Sequence, residues 1–100
     1  MKFNKELLKG TTDMIILKLL AEKDMYGYEI MKKVKEKTDN IFELREGTLY
    51  PLLHELESKK LIVSYWEVTE SLRKRKYYKI TDKGKKSLKS KEIEWKNFSI

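Results

Sequence analysis

Residues 47–81, GTLYPLLHELESKKLIVSYWEVTESLRKRKYYKIT, change hydrophobic period once along their length. Leu49, Leu52, Leu53 and Leu56 recur at the i, i+3, i+4, i+7 spacing that stacks four side chains on one helical stripe. With Thr48 as N-cap, this spacing predicts a helix from Gly47-Thr48 to about Lys59. Pro51 then falls at the third helical position, where a missing N–H costs no intrahelical bond. Opposite the leucines lie Tyr50, Pro51, His54, Glu55 and Ser58, a face left for a partner. After Lys60 the chain becomes rich in β-branched and aromatic residues, and Lys76 to Thr81 repeats that character. Two strands joined across Glu70-Ser-Leu-Arg-Lys make a hairpin. Alternation on its second strand puts Tyr78 and Ile80 toward the core, with Arg75, Tyr77 and Lys79 outward.

Working outward, Thr12 to Ala21 is apolar on nearly every side, and Thr11, Thr12 or Asp13 can cap its start, so it reads as a widely buried helix. Residues 22–25 form a polar break. Gly27, Ile30, Met31 and Val34 then mark one face of a second helix ending near Thr38-Asp39-Asn40, with Glu29 and Lys33 spaced to pair on its outer side. Beyond the hairpin, Thr81-Asp82 can cap a last helix that holds Gly84 in its first turn. Leu88, Trp95 and Phe98 make one stripe of it, Ile93 and Ile100 another, and the rest is mostly Lys, Glu, Ser or Asn. Such a helix cannot bury itself and should pack on a second copy or on the long first helix. Three helices, a basic hairpin and a final helix describe a mainly α, α+β chain. The order is that of a winged helix-turn-helix over residues 1–81, with a separate C-terminal helix over residues 82–100.

The charge is as uneven as the pattern. Residues 73–91 carry ten Lys or Arg against the single acid Asp82, a net of +9, so the other 81 residues must sum to −2 to give the formal +7. A local cationic field of this kind suits a polyanion, because Lys and Arg that neutralise phosphates release counterions and steer association. A solvated, Lys-rich helix face is the plainer alternative. At 100 residues the chain makes one domain with a modest core, and its 40% hydrophobic content separates it from disordered sequences of similar charge. The start, Met1-Lys-Phe-Asn-Lys-Glu, has no signal-peptide apolar core and no apolar run approaches a membrane span, so a cytoplasmic protein is expected.

Catalysis finds no support in the residues. There is no Cys, and His54 is the single histidine, without a second imidazole for a metal or a thiol to activate. No spacing marks a triad, a phosphate-cradling glycine loop or a carboxylate pair, so neither enzyme activity nor a cofactor is expected.

Four stretches add specificity: Leu8-Lys-Gly-Thr-Thr-Asp-Met-Ile-Ile-Leu-Lys-Leu-Leu, Tyr26-Gly-Tyr-Glu-Ile, Gly47-Thr-Leu-Tyr-Pro-Leu-Leu-His-Glu-Leu-Glu and Lys76-Tyr-Tyr-Lys-Ile-Thr-Asp-Lys-Gly. In this order and spacing they resemble the PadR family of transcriptional regulators over residues 7 to about 86. The resemblance implies a homodimer, usually a repressor, whose third helix enters the major groove of an operator while the wing touches the neighbouring backbone or minor groove. It also implies that the last helix forms the dimer, as in the short, single-helix subgroup. Some short members bind flat aromatic compounds at the dimer interface beside a Trp in this helix, and Trp95 lies where that Trp is expected. Family wings often carry Gly or Pro at the tip, whereas this tip is Thr69-Glu-Ser-Leu-Arg-Lys.

Candidate DNA contacts are therefore Thr48, Tyr50, Pro51 and His54 on the third helix and Arg73, Lys74, Arg75 and Lys76 on the wing. The exposed face of the third helix holds no Arg, Asn or Gln, so direct base readout from it should be sparse. Leu88, Trp95, Phe98 and Leu8 are the candidates for the dimer or effector surface, with Phe3, Leu7 and Met14 as further lining residues. Trp95 reads either as a packed anchor or as a stacking platform. Glu43, Glu46, Glu55 and Glu57 around the third helix motivate the other reading, a winged-helix module that meets a protein or RNA.

Overall fold

The computed structural model describes the backbone of residues 5–41 and 43–98 and the side chains of residues 10–41 and 43–97. Among these residues the chain forms α1 (Lys5–Glu22), β1 (Met25–Tyr26), α2 (Gly27–Lys37), α3 (Glu46–Ser58), β2 (Ile62–Val68), β3 (Lys74–Ile80) and α4 (Asp82–Phe98). The expected mainly helical winged architecture is present. Its core is shared by every helix: Ile16, Leu17 and Leu20 of α1, Ile30 and Val34 of α2, Leu49, Leu53 and Leu56 of α3 and Leu88 of α4 close over Ile62, Tyr78 and Ile80.

α1 begins well before the expected start, so Thr11, Thr12 and Asp13 lie inside it and not at its N-cap. The preceding Lys-Glu-Leu-Leu-Lys are strong helix formers, which carries the helix past the apolar run by which it was recognised. In α2 the expected Glu29–Lys33 pair does not form. Glu29 is the third helical residue, and its carboxylate instead accepts from the Tyr26 backbone N–H (3.4 Å) and pairs with Lys23 (3.3 Å). Two partners at the helix start hold it there.

The C-terminal ends of α2 and α3 both close without glycine. After α2, Asn40 N–H donates to the Lys35 carbonyl (2.9 Å), with Asp39 and Asn40 both at positive φ. After α3, Leu61 N–H donates to the Leu56 carbonyl (3.0 Å) and Lys60 N–H to the Glu57 carbonyl (2.9 Å), with Lys60 at φ 64°. This is the Schellman closure, and Leu61 packs into the core beside Leu56 as its hydrophobic partner.

The sheet has three strands in the order β1-β3-β2, all antiparallel. β1, where a polar break was expected, pairs Met25 with Tyr78 and Tyr26 with Tyr77. Two residues are too few to show a period in sequence. β3 starts at Lys74, two residues earlier than expected, because Lys74 pairs with Val68 and Arg75 with Glu67.

At the other end of the hairpin, Thr81 caps α4 as expected. Its hydroxyl accepts from the Gly84 N–H (2.9 Å), and both the hydroxyl and the backbone N–H of Thr81 lie 3.0 Å from the Leu61 carbonyl. α4 then packs on α1, where Lys18 and Glu92 pair at 3.4 Å.

Candidate nucleic-acid interface

α3 presents its leucine stripe inward, and what fixes its start is hydrophobic. Leu44 and Leu49 occupy the N′ and N4 positions of a staple around Arg45, and both are buried in the core. The Arg45 carbonyl accepts from Thr48 N–H (3.0 Å) and Leu49 N–H (2.8 Å), which makes Arg45 the N-cap and not Thr48. Pro51 consequently moves from the third helical position to the sixth. It leaves the Gly47 carbonyl without its helical donor, at a residue exposed to solvent. Thr48, Tyr50, Pro51 and His54 are all exposed, as expected of a face kept for a partner.

Tyr50 is held by contact with α2. A Cβ built on Gly27 would meet the Tyr50 hydroxyl and lie 2.9 Å from Cζ of its ring, so the ring rests where only glycine leaves room. This fixes the phenol beside the first turn of α2, where backbone N–H groups and the helix dipole favour an anion. Tyr26 and Tyr28 flank the same turn, and Tyr28 is well exposed. Sequence reasoning passed over these two as contact residues, although the Tyr-Gly-Tyr spacing marks them.

Ser64 Oγ joins the wing to α3 by donating to the Glu57 carboxylate at 2.5 Å. Ser64 pairs across the sheet with Tyr78, Trp66 with Lys76 and Val68 with Lys74, so these residues share the hairpin face that looks onto α3. Burial raises the pKa of the Tyr78 phenol, with the Glu57 charge adding to it. The Lys76 ammonium stands 5.8 Å from the Tyr78 ring centroid.

The opposite face carries Tyr65, Tyr77 and Arg75. Tyr65 and Tyr77 stack at 5.7 Å, Tyr26 meets Tyr77 edge-on at 5.5 Å, and the Arg75 guanidinium lies over the Tyr26 ring at 4.4 Å. The four consecutive wing cations therefore do not act as one row. Strand alternation sends Lys74 and Lys76 toward the α3 side and Arg75 to the far side, where cation–π contact draws it toward the start of α2.

Other lysines are engaged, Lys18, Lys23, Lys33, Lys37 and Lys59 each with a carboxylate. Among the described residues no ion pair joins Arg73, Lys74 or Lys76 to an acid. Of the acids that favoured a protein or RNA partner, Glu55 is paired with Lys59 at 3.0 Å and Glu57 is bonded to Ser64.

The wing tip closes without Gly or Pro. Leu72 N–H donates to the Thr69 carbonyl (2.9 Å) and Thr69 N–H to the Arg73 carbonyl (2.8 Å), a turn followed by one left-handed residue. That residue is Leu72, at φ 61°.

A family sequence profile described as "Transcriptional regulator PadR-like family" matches residues 16–90, from the middle of α1 into α4. The chain belongs to the PadR-like family. Its likeness extends to an uncharacterized protein of Lysinibacillus sphaericus, 42% identical over 90 residues, 90% of this chain and 83% of that one. A transcriptional regulator from Clostridium thermocellum is 41% identical with a TM-score of 0.86, over 94% of this chain and 91% of that one. A PadR family transcription regulator from hypervirulent Clostridium difficile is 44% identical with a TM-score of 0.78, over 88% of this chain and 90% of that one. The PadR-like assignment makes the chain a DNA-binding transcriptional regulator of winged-helix fold.

The residues expected at a dimer or effector surface fare differently in this PadR-like chain. Leu88 is buried in the core, where α4 packs on α1 and β3. Trp95 is 38% exposed and Ile93 54% exposed farther along α4. The side chains of Leu8, Leu7 and Phe98, and the whole of Phe3 and Ile100, lie outside the described residues, while Met14 is partly buried against the core. Among the described residues no helix is long and apolar enough to cross a membrane, and no group of three metal-ligating side chains forms.

Proposed function

We propose that this PadR-like chain is a homodimeric, operator-specific repressor, with α3 in the major groove and the wing along the adjacent backbone. The observation that carries this reading is the placement of the exposed Tyr50, Pro51 and His54 on α3 beside a wing whose Lys74 and Lys76 pair with no acid among the described residues, braced by the Ser64–Glu57 bond. Thr48 contributes a side chain beside the helix start, and Arg73 extends the cationic edge to the tip. Arg75 acts from its seat on Tyr26, near the start of α2. Most of the affinity is phosphate attraction, and the sparse base-reading chemistry of α3 leaves DNA shape a large share of specificity.

The partly exposed Trp95 and Ile93 support α4 as the surface that meets a second copy, making residues 82–100 the dimerisation unit and residues 1–81 the DNA-binding unit. A planar aromatic effector would stack beside Trp95 in that seam and release the operator by changing the spacing of two half-sites about 10 bp apart. Such a protein works in the cytoplasm.

The deciding experiment is a salt series on a duplex taken from the DNA upstream of the chain's own coding region. Tighter binding there than to random duplex at equal salt, with a 2:1 protein-to-duplex stoichiometry, is expected. Equal binding to both would remove the operator reading, and complexes that survive charge reversal at Arg73 and Arg75 would favour a protein or RNA partner. For the effector, planar aromatics should quench the unaltered protein and leave a Trp95→Ala variant unquenched.

A further inference from the structure

Leu72 is an anomaly on two counts. It is 84% exposed, and it holds a positive φ that costs an ordinary side chain about 1–2 kcal/mol relative to glycine. Nothing in the fold requires leucine there. The turn is specified by the Thr69 and Arg73 backbone bonds, with the Thr69 hydroxyl accepting from Arg73 N–H (3.3 Å) and lying 3.0 Å from Ser71 Oγ, and glycine would satisfy all of them better. The side chain packs on no core residue. Strain combined with exposure in the turn of a cationic hairpin points to an external partner.

The surroundings identify that partner. Arg73 and Lys74 follow Leu72 directly and carry no acid partner among the described residues, while Val68 and Trp66, 58% and 66% exposed, share the α3-facing side of β2. Cations flanking an apolar tip fit a groove whose walls are phosphates and whose floor is sugar and base edge. A hydrophobic partner alone would not call for the charges, and phosphates alone would not call for the leucine. Glu70 also lies at this tip, and its charge opposes deep entry by the whole turn, so the leucine is the part suited to pass between the phosphates.

We propose that Leu72 is a shape-reading residue: its side chain, held forward by the left-handed turn, enters the DNA minor groove between the phosphates met by Arg73 and Lys74. This rests on the operator-binding reading and deepens it. An apolar wedge makes no base hydrogen bond. It discriminates through groove width and the ease of opening a base step, which is the kind of selectivity an α3 face without Arg, Asn or Gln leaves to be supplied.

The test uses the full chain with Leu72→Gly and Leu72→Asn, both at home at positive φ, and Arg73→Gln as the charge control. Binding to the upstream duplex, to the same duplex with inosine replacing guanine, and to random duplex is read by anisotropy over a salt series. Inosine removes the minor-groove amino group and leaves the major-groove acceptors in place. The Leu72 variants should retain or raise the melting temperature and lose about tenfold in affinity for the upstream duplex. Their salt slope should be unchanged, since no phosphate contact is lost, whereas Arg73→Gln should lower the slope by about one. The unaltered protein should distinguish the inosine duplex from the parent, and Leu72→Gly should not. If the unaltered protein selects the upstream duplex and the Leu72 variants match it within twofold at every salt, the wedge is overturned while operator binding stands. If the unaltered protein selects no duplex, the operator reading fails and the wedge fails with it.

Discussion

Gly27 and Tyr50 are complementary: the ring of Tyr50 on α3 occupies the space that a side chain at the first residue of α2 would fill. The ring is thereby seated against the first turn of α2 in a space that depends on one missing methyl group. Because the blocking atoms are the far end of a half-exposed ring, a methyl there displaces the phenol more readily than it displaces the backbone. Gly27→Ala should therefore change stability by less than about 1 kcal/mol, the clash being partly offset by alanine's helix propensity. Operator affinity should fall about tenfold as Tyr50 leaves its place, and Tyr50→Phe should reproduce part of that loss if the hydroxyl meets a phosphate. Unfolding curves and duplex titrations of the two variants check this.

Gly84 is tight for a different reason, and the outcome should differ. A Cβ there meets the Leu61 carbonyl oxygen and comes within 2.7 Å of Ile80 Cγ1. That carbonyl already accepts from Thr81, so neither it nor the first turn of α4 can move freely. Gly84→Ala should cost about 3 kcal/mol. At fixed protein concentration the melting temperature should drop by more than about 10 °C.

Thr81 ties the same junction together through hydrogen bonds. Thr81→Val keeps the shape but removes the hydroxyl that caps α4 and bonds the Lys60 and Leu61 carbonyls. A loss of about 1–2 kcal/mol in denaturant unfolding is expected, with an unchanged dependence on denaturant concentration.

Lys60 offers a gain. It closes α3 from the left-handed region, where glycine carries no steric penalty, and its side chain is exposed. Lys60→Gly should raise stability by about 1 kcal/mol, seen as a higher urea midpoint, and leave DNA affinity within twofold of the unaltered protein.

Tyr65 sets a pH limit. Its hydroxyl donates to the Asp24 carboxylate at 2.7 Å, and that bond, with smaller contributions from burial and the Asp24 charge, pushes its pKa from 10.0 to about 12. The folded state thus holds this proton more tightly than the unfolded chain. Its stabilising share is complete below pH 10 and disappears as pH rises toward 12. The share is small, since Tyr65 is more than a third exposed and solvent screens the pair. Ultraviolet titration should show Tyr65 lagging, alongside the buried Tyr78, and Asp24→Asn should return Tyr65 alone toward 10.

What the sequence determined by itself was the set of buried faces carried by a period, together with one helix cap. The leucine stripe of α3, the inward Tyr78 and Ile80, the buried face of α2 and the Thr81 cap follow from spacing that a helix or strand imposes on neighbours in the chain. The four motifs carried the family. Helix ends were less legible, because the start of α3 depends on Leu44 finding the core, and the Glu29 carboxylate chose Lys23 and the Tyr26 N–H over Lys33. Tertiary structure alone decided how the cations are divided. Arg73 to Lys76 is one basic run in sequence, yet register and alternation turn Lys74 and Lys76 toward α3 and seat Arg75 on a tyrosine 49 positions earlier in the chain. It also decided that Leu88 belongs to its own core and that Leu72 stands in a strained turn at the wing tip. Contacts between residues far apart in the chain fixed the seats of Arg75 and Leu88, while the backbone bonds between Thr69, Leu72 and Arg73 hold the tip, and no hydrophobic period encodes any of them.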